Sequence, residues 1–89
     1  QGLTVWMAQE LGPSRITVNC IAPGMIDTPA GGAARPPGML EALAPSIPLK
    51  ALGSPEDLVG PLLFLVSDAA GWVTGQIVCV DGGWVKRVA

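Results

Sequence analysis

The stretch Ile16-Thr17-Val18-Asn19-Cys20-Ile21-Ala22-Pro23-Gly24-Met25-Ile26-Asp27-Thr28 decides the fold. Ile16, Val18, Cys20 and Ile21 are apolar and Thr17 is β-branched, so the run reads as a strand buried on both faces, as in a parallel sheet. Pro23 and Gly24 are expected to end it. Proline offers no N–H to a ladder, and glycine takes φ > 0 and lets another molecule approach the backbone. In open α/β sheets ligands bind beyond the carboxyl ends of strands, which is where the loop from Pro23 to Thr28 would sit. A plainer reading makes Thr28-Pro29 an N-cap followed by a first-turn proline. A capping threonine can also face a ligand, so both readings stand.

Working backward, Gln1 to Leu11 reads as a helix with Leu3, Trp6, Met7 and Leu11 on one face. Gly12 supplies its C′ residue and Pro13 prevents continuation. No Ser, Thr, Asp or Asn cap precedes Leu3, so the pattern starts in mid-helix, as expected of the end of something longer. Working forward, Pro29-Ala30-Gly31-Gly32-Ala33-Ala34-Arg35-Pro36-Pro37-Gly38 is rich in breakers and reads as a mobile loop. Met39 to Leu43 makes one helical turn, bounded by Pro45 and Pro48.

Ser54-Pro55-Glu56-Asp57 is a helix start, with Ser54 as cap, Pro55 in the first turn and two acids at the positive end of the dipole. Leu58, Val59, Leu62, Leu63 and Val66 form an apolar stripe that Phe64 and Leu65 widen. Pro61 removes one helical hydrogen bond and predicts a local kink within a single helix. Ser67-Asp68-Ala69-Ala70-Gly71 ends it. Ile77-Val78-Cys79-Val80 then reads as a second buried strand, and Asp81-Gly82-Gly83 turns the chain out of it.

The 89 residues leave room for one small domain at most. Hydrophobic residues make up 49% and charged residues 13%, too apolar for disorder and too poorly charged to cover a small surface. Apolar faces are therefore expected to need cover from further sequence, from other subunits, or from both. A net charge of −2 with scattered cations gives no footprint for nucleic acid, and Lys86-Arg87 reads as a solvated tail. No run reaches the ~18 apolar residues of a membrane helix, and the start lacks the basic region of a signal peptide. The absence of histidine excludes a Ser-His or Cys-His pair and finger-type zinc within this chain. Cys20 and Cys79 read as small buried hydrophobes in a reducing cytoplasm. A disulfide between them would require neighbouring strands with suitable Cβ directions. No catalytic residue and no metal ligand is expected here, and Asp27 reads as a surface carboxylate.

The pattern Val18-Asn19-x-Ile21-x-Pro23-Gly24-x-Ile26-x-Thr28 resembles the last-but-one strand and its loop in the short-chain dehydrogenase/reductase family. The resemblance runs on through Leu49-x-x-Leu52-Gly53-x-Pro55-Glu56-Asp57, Phe64-Leu65-x-Ser67-Asp68, Val73-Thr74-Gly75-Gln76 and Val80-Asp81-Gly82-Gly83. Trp72 departs from it, standing where tyrosine is more usual. The resemblance implies the carboxyl-terminal part of a Rossmann-type, doubly wound parallel α/β sheet in the order helix, strand, lid, helix, strand, with residues 1–89 forming part of one domain.

It further implies that Pro23, Gly24, Met25, Ile26 and Thr28 hold the nicotinamide half of NAD or NADP. The Ile26 backbone would bond the carboxamide, the Thr28 hydroxyl the carboxamide or the pyrophosphate, and Pro23-Gly24 would shape the turn. Residues 29–48 would be the substrate lid. Met25, Met39, Leu40 and Trp84 could line an apolar pocket or pack in the core or an interface. The Ser54–Val66 helix and Ile77–Val80 strand would build a homo-oligomer interface, dimeric or tetrameric. The Gly-rich dinucleotide turn and the Tyr-x-x-x-Lys pair of the family do not occur in these residues, which contain no tyrosine. The resemblance places the pair within roughly two helical turns ahead of Gln1. The implied parent is a cytoplasmic oxidoreductase moving hydride between a nicotinamide cofactor and a small-molecule alcohol or ketone, with this chain alone inactive. The alternatives are a non-catalytic module that self-associates without nucleotide, and a truncated product without activity.

Overall fold

The computed structural model describes residues 2–27 and 38–84. Gln1, residues 28–37, which include Thr28 and most of the expected lid, and residues 85–89 lie outside the described residues. The chain begins with helix α1 (Gly2–Leu11) and reaches strand β1 (Cys20–Pro23) through a 3-10 turn. Helix α2 (Met39–Leu43) and a second 3-10 turn come next. A 3-10 turn over Pro55–Leu58 leads into α3 (Val59–Leu65), and strand β2 (Ile77–Val80) closes the series. β1 and β2 pair in parallel, Cys20 opposite Ile77 and Pro23 opposite Val80. The α/β class and the parallel pairing are those the sequence predicts.

Three local expectations change. The strand lies later than Ile16–Ile21, because along its first half the Gly75 N–H bond to the Val18 carbonyl at 2.7 Å is the backbone link across and side chains make the other bonds. Thr74 Oγ1 accepts from the Val18 N–H at 3.0 Å, Asn19 Nδ2 donates to the Val73 carbonyl at 3.0 Å, and the Gln76 N–H donates to Asn19 Oδ1 at 3.1 Å. Pro23 is the last residue of the strand and Gly24 follows it, so the two end it as expected. Cys20 and Gly24 donate their N–H groups to Gln76 and Val80 of the partner segment at 2.9 and 3.0 Å. By alternation Pro23 falls where its missing N–H would point away from β2.

Gly12 is not the residue that turns the chain after α1. The left-handed residue is Arg15 (φ 62°), with Arg15 N–H bonded to the Gly12 carbonyl and Ile16 N–H to the Leu11 carbonyl, a Schellman closure of the 3-10 turn. Pro61 brings a change of helix type rather than a kink inside one long helix. The 3-10 turn ends at Leu58, and Pro61 then falls in the first turn of α3, where an N–H has little use.

Among the described residues, Ala8, Ile47, Leu65 and Ala70 are the buried hydrophobic ones. Thus α3 buries Leu65 and leaves Val59, Leu62, Leu63 and Val66 of the predicted stripe exposed, with Phe64. On α1, Leu3 and Trp6 of the predicted face are exposed, while Met7 and Leu11 are half-buried. Cys20 and Cys79 are free and half-buried. Cys79 stands opposite Ala22, two residues along from Cys20. Strand geometry then separates their Cα atoms by about 8 Å, too far for a disulfide. Among the described residues no helix is long and apolar enough to cross a membrane.

Candidate functional site

Both strands exit at the same end of the sheet, and the segments leaving them meet there. Gly24 leaves β1 with its N–H bonded to Val80 of β2. Its Cα rides over the start of the next turn so closely that a Cβ would lie 2.7 Å from Asp81 Cβ and 2.8 Å from Asp81 Cα. Only glycine permits this approach, because the obstructing atoms include backbone. The Asp81-Gly82-Gly83 turn is fixed in its own right: Asp81 Oδ1 accepts from the Gly83 N–H at 2.9 Å, and both glycines have positive φ.

Beyond Gly24 the loop makes a one-residue parallel bridge between Ile26 and Gly53. Gly53 donates its N–H to the Met25 carbonyl at 2.9 Å and accepts from the Asp27 N–H at 2.9 Å. In a parallel pairing the flanking residues bond the partner, so the N–H and C=O of Ile26 itself point to the opposite edge. Gly53 is steadied by the next residue. The Ser54 N–H donates to Asp57 Oδ2 at 2.8 Å and the Ser54 hydroxyl to the same oxygen at 3.2 Å, within a capping box at the start of the 3-10 turn.

On the Gly53 side the loop borders a cavity of about 540 Å³ lined by Met25, Ile26, Ile47, Leu49, Ala51, Leu52, Gly53, Asp57, Val80, Asp81 and Gly82. Met25 therefore lines an apolar pocket, as one reading of the sequence has it. Met39 and Trp84 are not among the lining residues, and the Leu40 side chain lies outside the described residues. Ile47 forms the floor and is 2% exposed. Leu49 N–H bonds the Gly82 carbonyl at 3.1 Å, which closes one wall. A smaller cavity of about 270 Å³ lies at the opposite, amino-terminal end of the strands, beside Arg15 and the fully exposed Trp72.

Four of the five sequence-predicted positions, Pro23, Gly24, Met25 and Ile26, are thus brought together where β1 leaves the sheet, and Thr28 lies outside the described residues. The sequence reading missed Gly53 and Asp81 as neighbours of this loop. Their signal was present only as the motifs Leu52-Gly53-x-Pro55 and Val80-Asp81-Gly82-Gly83, which do not say what each glycine or acid touches. Among the described residues no group of three or more His, Cys, Asp or Glu side chains could hold a metal.

A family profile described as enoyl-(acyl carrier protein) reductase, of the short-chain alcohol dehydrogenase type, matches residues 1–85. The chain belongs to the short-chain dehydrogenase/reductase family. It is 51% identical over 86 residues to an uncharacterized oxidoreductase of Mycobacterium tuberculosis, covering 97% of this chain and 35% of that protein. Among solved structures it is similar to a hydroxysteroid dehydrogenase from Escherichia coli, with a TM-score of 0.87 and 42% identity over 96% of this chain and 36% of that one. It is also similar to a 4-hydroxyisoleucine dehydrogenase complexed with NADH, with a TM-score of 0.80 and 38% identity over 98% of this chain and 35% of that one. This short-chain dehydrogenase/reductase segment spans about a third of the length of these relatives. Its fold is accordingly part of a Rossmann-type sheet.

Proposed function

We propose that residues 1–89 are the carboxyl-terminal part of one Rossmann-type domain in an NAD(P)(H)-dependent oxidoreductase that moves hydride between nicotinamide and a small-molecule alcohol or ketone. In this reading Pro23, Gly24, Met25, Ile26 and Thr28 grip the nicotinamide half of the cofactor, and residues 29–48 form the lid over the substrate.

The observation that supports it best is the bridge between Ile26 and Gly53. It leaves a backbone donor and a backbone acceptor side by side on the free edge of Ile26, and a carboxamide offers the complementary acceptor and donor. The residues present therefore fit the group. The cofactor, when bound, supplies the hydride chemistry. The loop's contribution is orientation, a factor worth up to ~7–11 kcal/mol in favourable intramolecular reactions. The proton is expected to be handled by a Tyr-x-x-x-Lys pair encoded ahead of Gln1. The exposed Leu62, Leu63, Phe64 and Val66 support self-association through the segment Ser54–Val66 and β2, as a dimer or tetramer.

Those same exposed residues favour a second reading, a module that associates without nucleotide. Titration of the whole gene product with NADH and NADPH separates the two. Saturable binding of either, with Tyr-x-x-x-Lys in frame upstream, is expected. A protein that binds neither contradicts the oxidoreductase reading.

A further inference from the structure

We infer that Gly53 is a positioning residue for the nicotinamide carboxamide, acting through Ile26; the inference rests on the oxidoreductase reading above. Three observations converge. Gly53 makes both hydrogen bonds that define the backbone of the Met25–Asp27 segment, each 2.9 Å long. Those two bonds fix which way Ile26 presents its N–H and C=O, because turning that peptide edge away from the ligand would break them. Finally, the Ile26 side chain fills the space a side chain at residue 53 would need. A Cβ there would lie 2.6 Å from Ile26 Cδ1 and 3.5 Å from the Met25 carbonyl oxygen.

The device has a stiff base. Immediately after Gly53, the Asp57 carboxylate takes the Ser54 N–H and the Ser54 hydroxyl, so the residue is anchored to the helix start rather than to a free loop. Gly53 lies on the far side of Ile26 from the ligand edge. It does not touch the cofactor, and it contributes only through where it holds its neighbour.

The size of the obstruction is graded. An alanine at residue 53 meets the terminal methyl of Ile26, which yields part of the way. A valine adds two further carbons next to that methyl and the Met25 carbonyl, and forces the bridge apart. The effect should be confined to the nicotinamide end of the ligand, since the adenine end binds elsewhere in a dinucleotide fold.

The test uses the whole protein and two ligands: the dinucleotide it binds more tightly of NADH and NADPH, and the matching ADP-ribose or 2′-phospho-ADP-ribose, which lacks the nicotinamide. Gly53→Ala should weaken dinucleotide binding about five-fold and Gly53→Val more than about ten-fold, the range expected for losing hydrogen bonds to a carboxamide. Binding of the ADP-ribose ligand should stay within about two-fold of wild type, where a general folding defect would weaken both ligands alike. Replacing Ile26 by Val in the Gly53→Ala background removes Cδ1 and should recover most of the loss.

Unchanged dinucleotide affinity in Gly53→Val, parallel loss of both ligands, or no recovery in the double variant each overturns the inference. Should Gly53→Val fail to fold, Gly53→Ala and its partner variant decide alone. A wild-type protein that binds no dinucleotide would instead overturn the functional reading beneath it.

Discussion

Two residues carry the two ends of β1, one by having no side chain and one by using all of its own. Gly24 passes so near Asp81 that any Cβ meets backbone. Gly24→Ala is therefore expected to cost about 1–3 kcal/mol, as overpacking does. The loss should appear both as a lower melting temperature and as weaker dinucleotide binding, because the same contact seats the loop. Asn19 works at the other end of β1. Its amide joins the Val73 carbonyl to the Gln76 N–H, so one side chain holds the strand to the segment leading into β2. Asn19→Ala leaves two backbone groups without that partner and should cost about 1–3 kcal/mol. Calorimetry of the whole protein checks this, with dinucleotide affinity much less affected than in Gly24→Ala.

At the scale of elements, the helix start at Ser54 and the proline at residue 61 are coupled by position. Asp57→Ala removes the acceptor that serves both the N–H and the hydroxyl of Ser54, and should cost about 1 kcal/mol, as lost caps do. Pro61→Ala should change stability by less than about 1 kcal/mol, since in the first turn of α3 the missing N–H is not needed. Thermal unfolding of both variants decides. A gain of several kcal/mol on replacing Pro61 would mean that it sits in a helix interior after all.

The same elements mark what the sequence made legible. The apolar run in Ile16–Ile21 correctly indicated a parallel strand, but its boundary depended on Asn19 and Thr74 meeting across more than fifty residues, which no local pattern encodes. Pro23 and Gly24 were readable as the strand's end, but not that Pro23 keeps its place in the pairing because its missing N–H faces away from β2. Periodicity found the apolar stripe on α3 but not which part of it the described structure buries, because that depends on what lies opposite. At the site, Pro23 to Ile26 were readable as a loop at a strand exit, whereas Gly53 became visible only once the bridge brought it to Ile26.

Among the described residues, a few buried hydrophobic side chains stand against a broad apolar exterior on α1 and α3. In a larger doubly wound sheet, such faces are where the remaining layers and the neighbours pack. The whole protein is expected to be a dimer or tetramer. Leu63→Glu together with Phe64→Glu should shift it to smaller species by light scattering after size exclusion, and an unchanged mass would remove α3 from the interface.

The edge of Ile26 that Gly53 leaves open is expected to receive the carboxamide of the cofactor's reactive ring. A crystal structure of the whole protein with NAD(P)(H) bound tests it most directly. The carboxamide is expected within about 2.7–3.2 Å of the Ile26 backbone nitrogen and oxygen. A nicotinamide lying elsewhere, with that edge bonded to the protein itself, would contradict it.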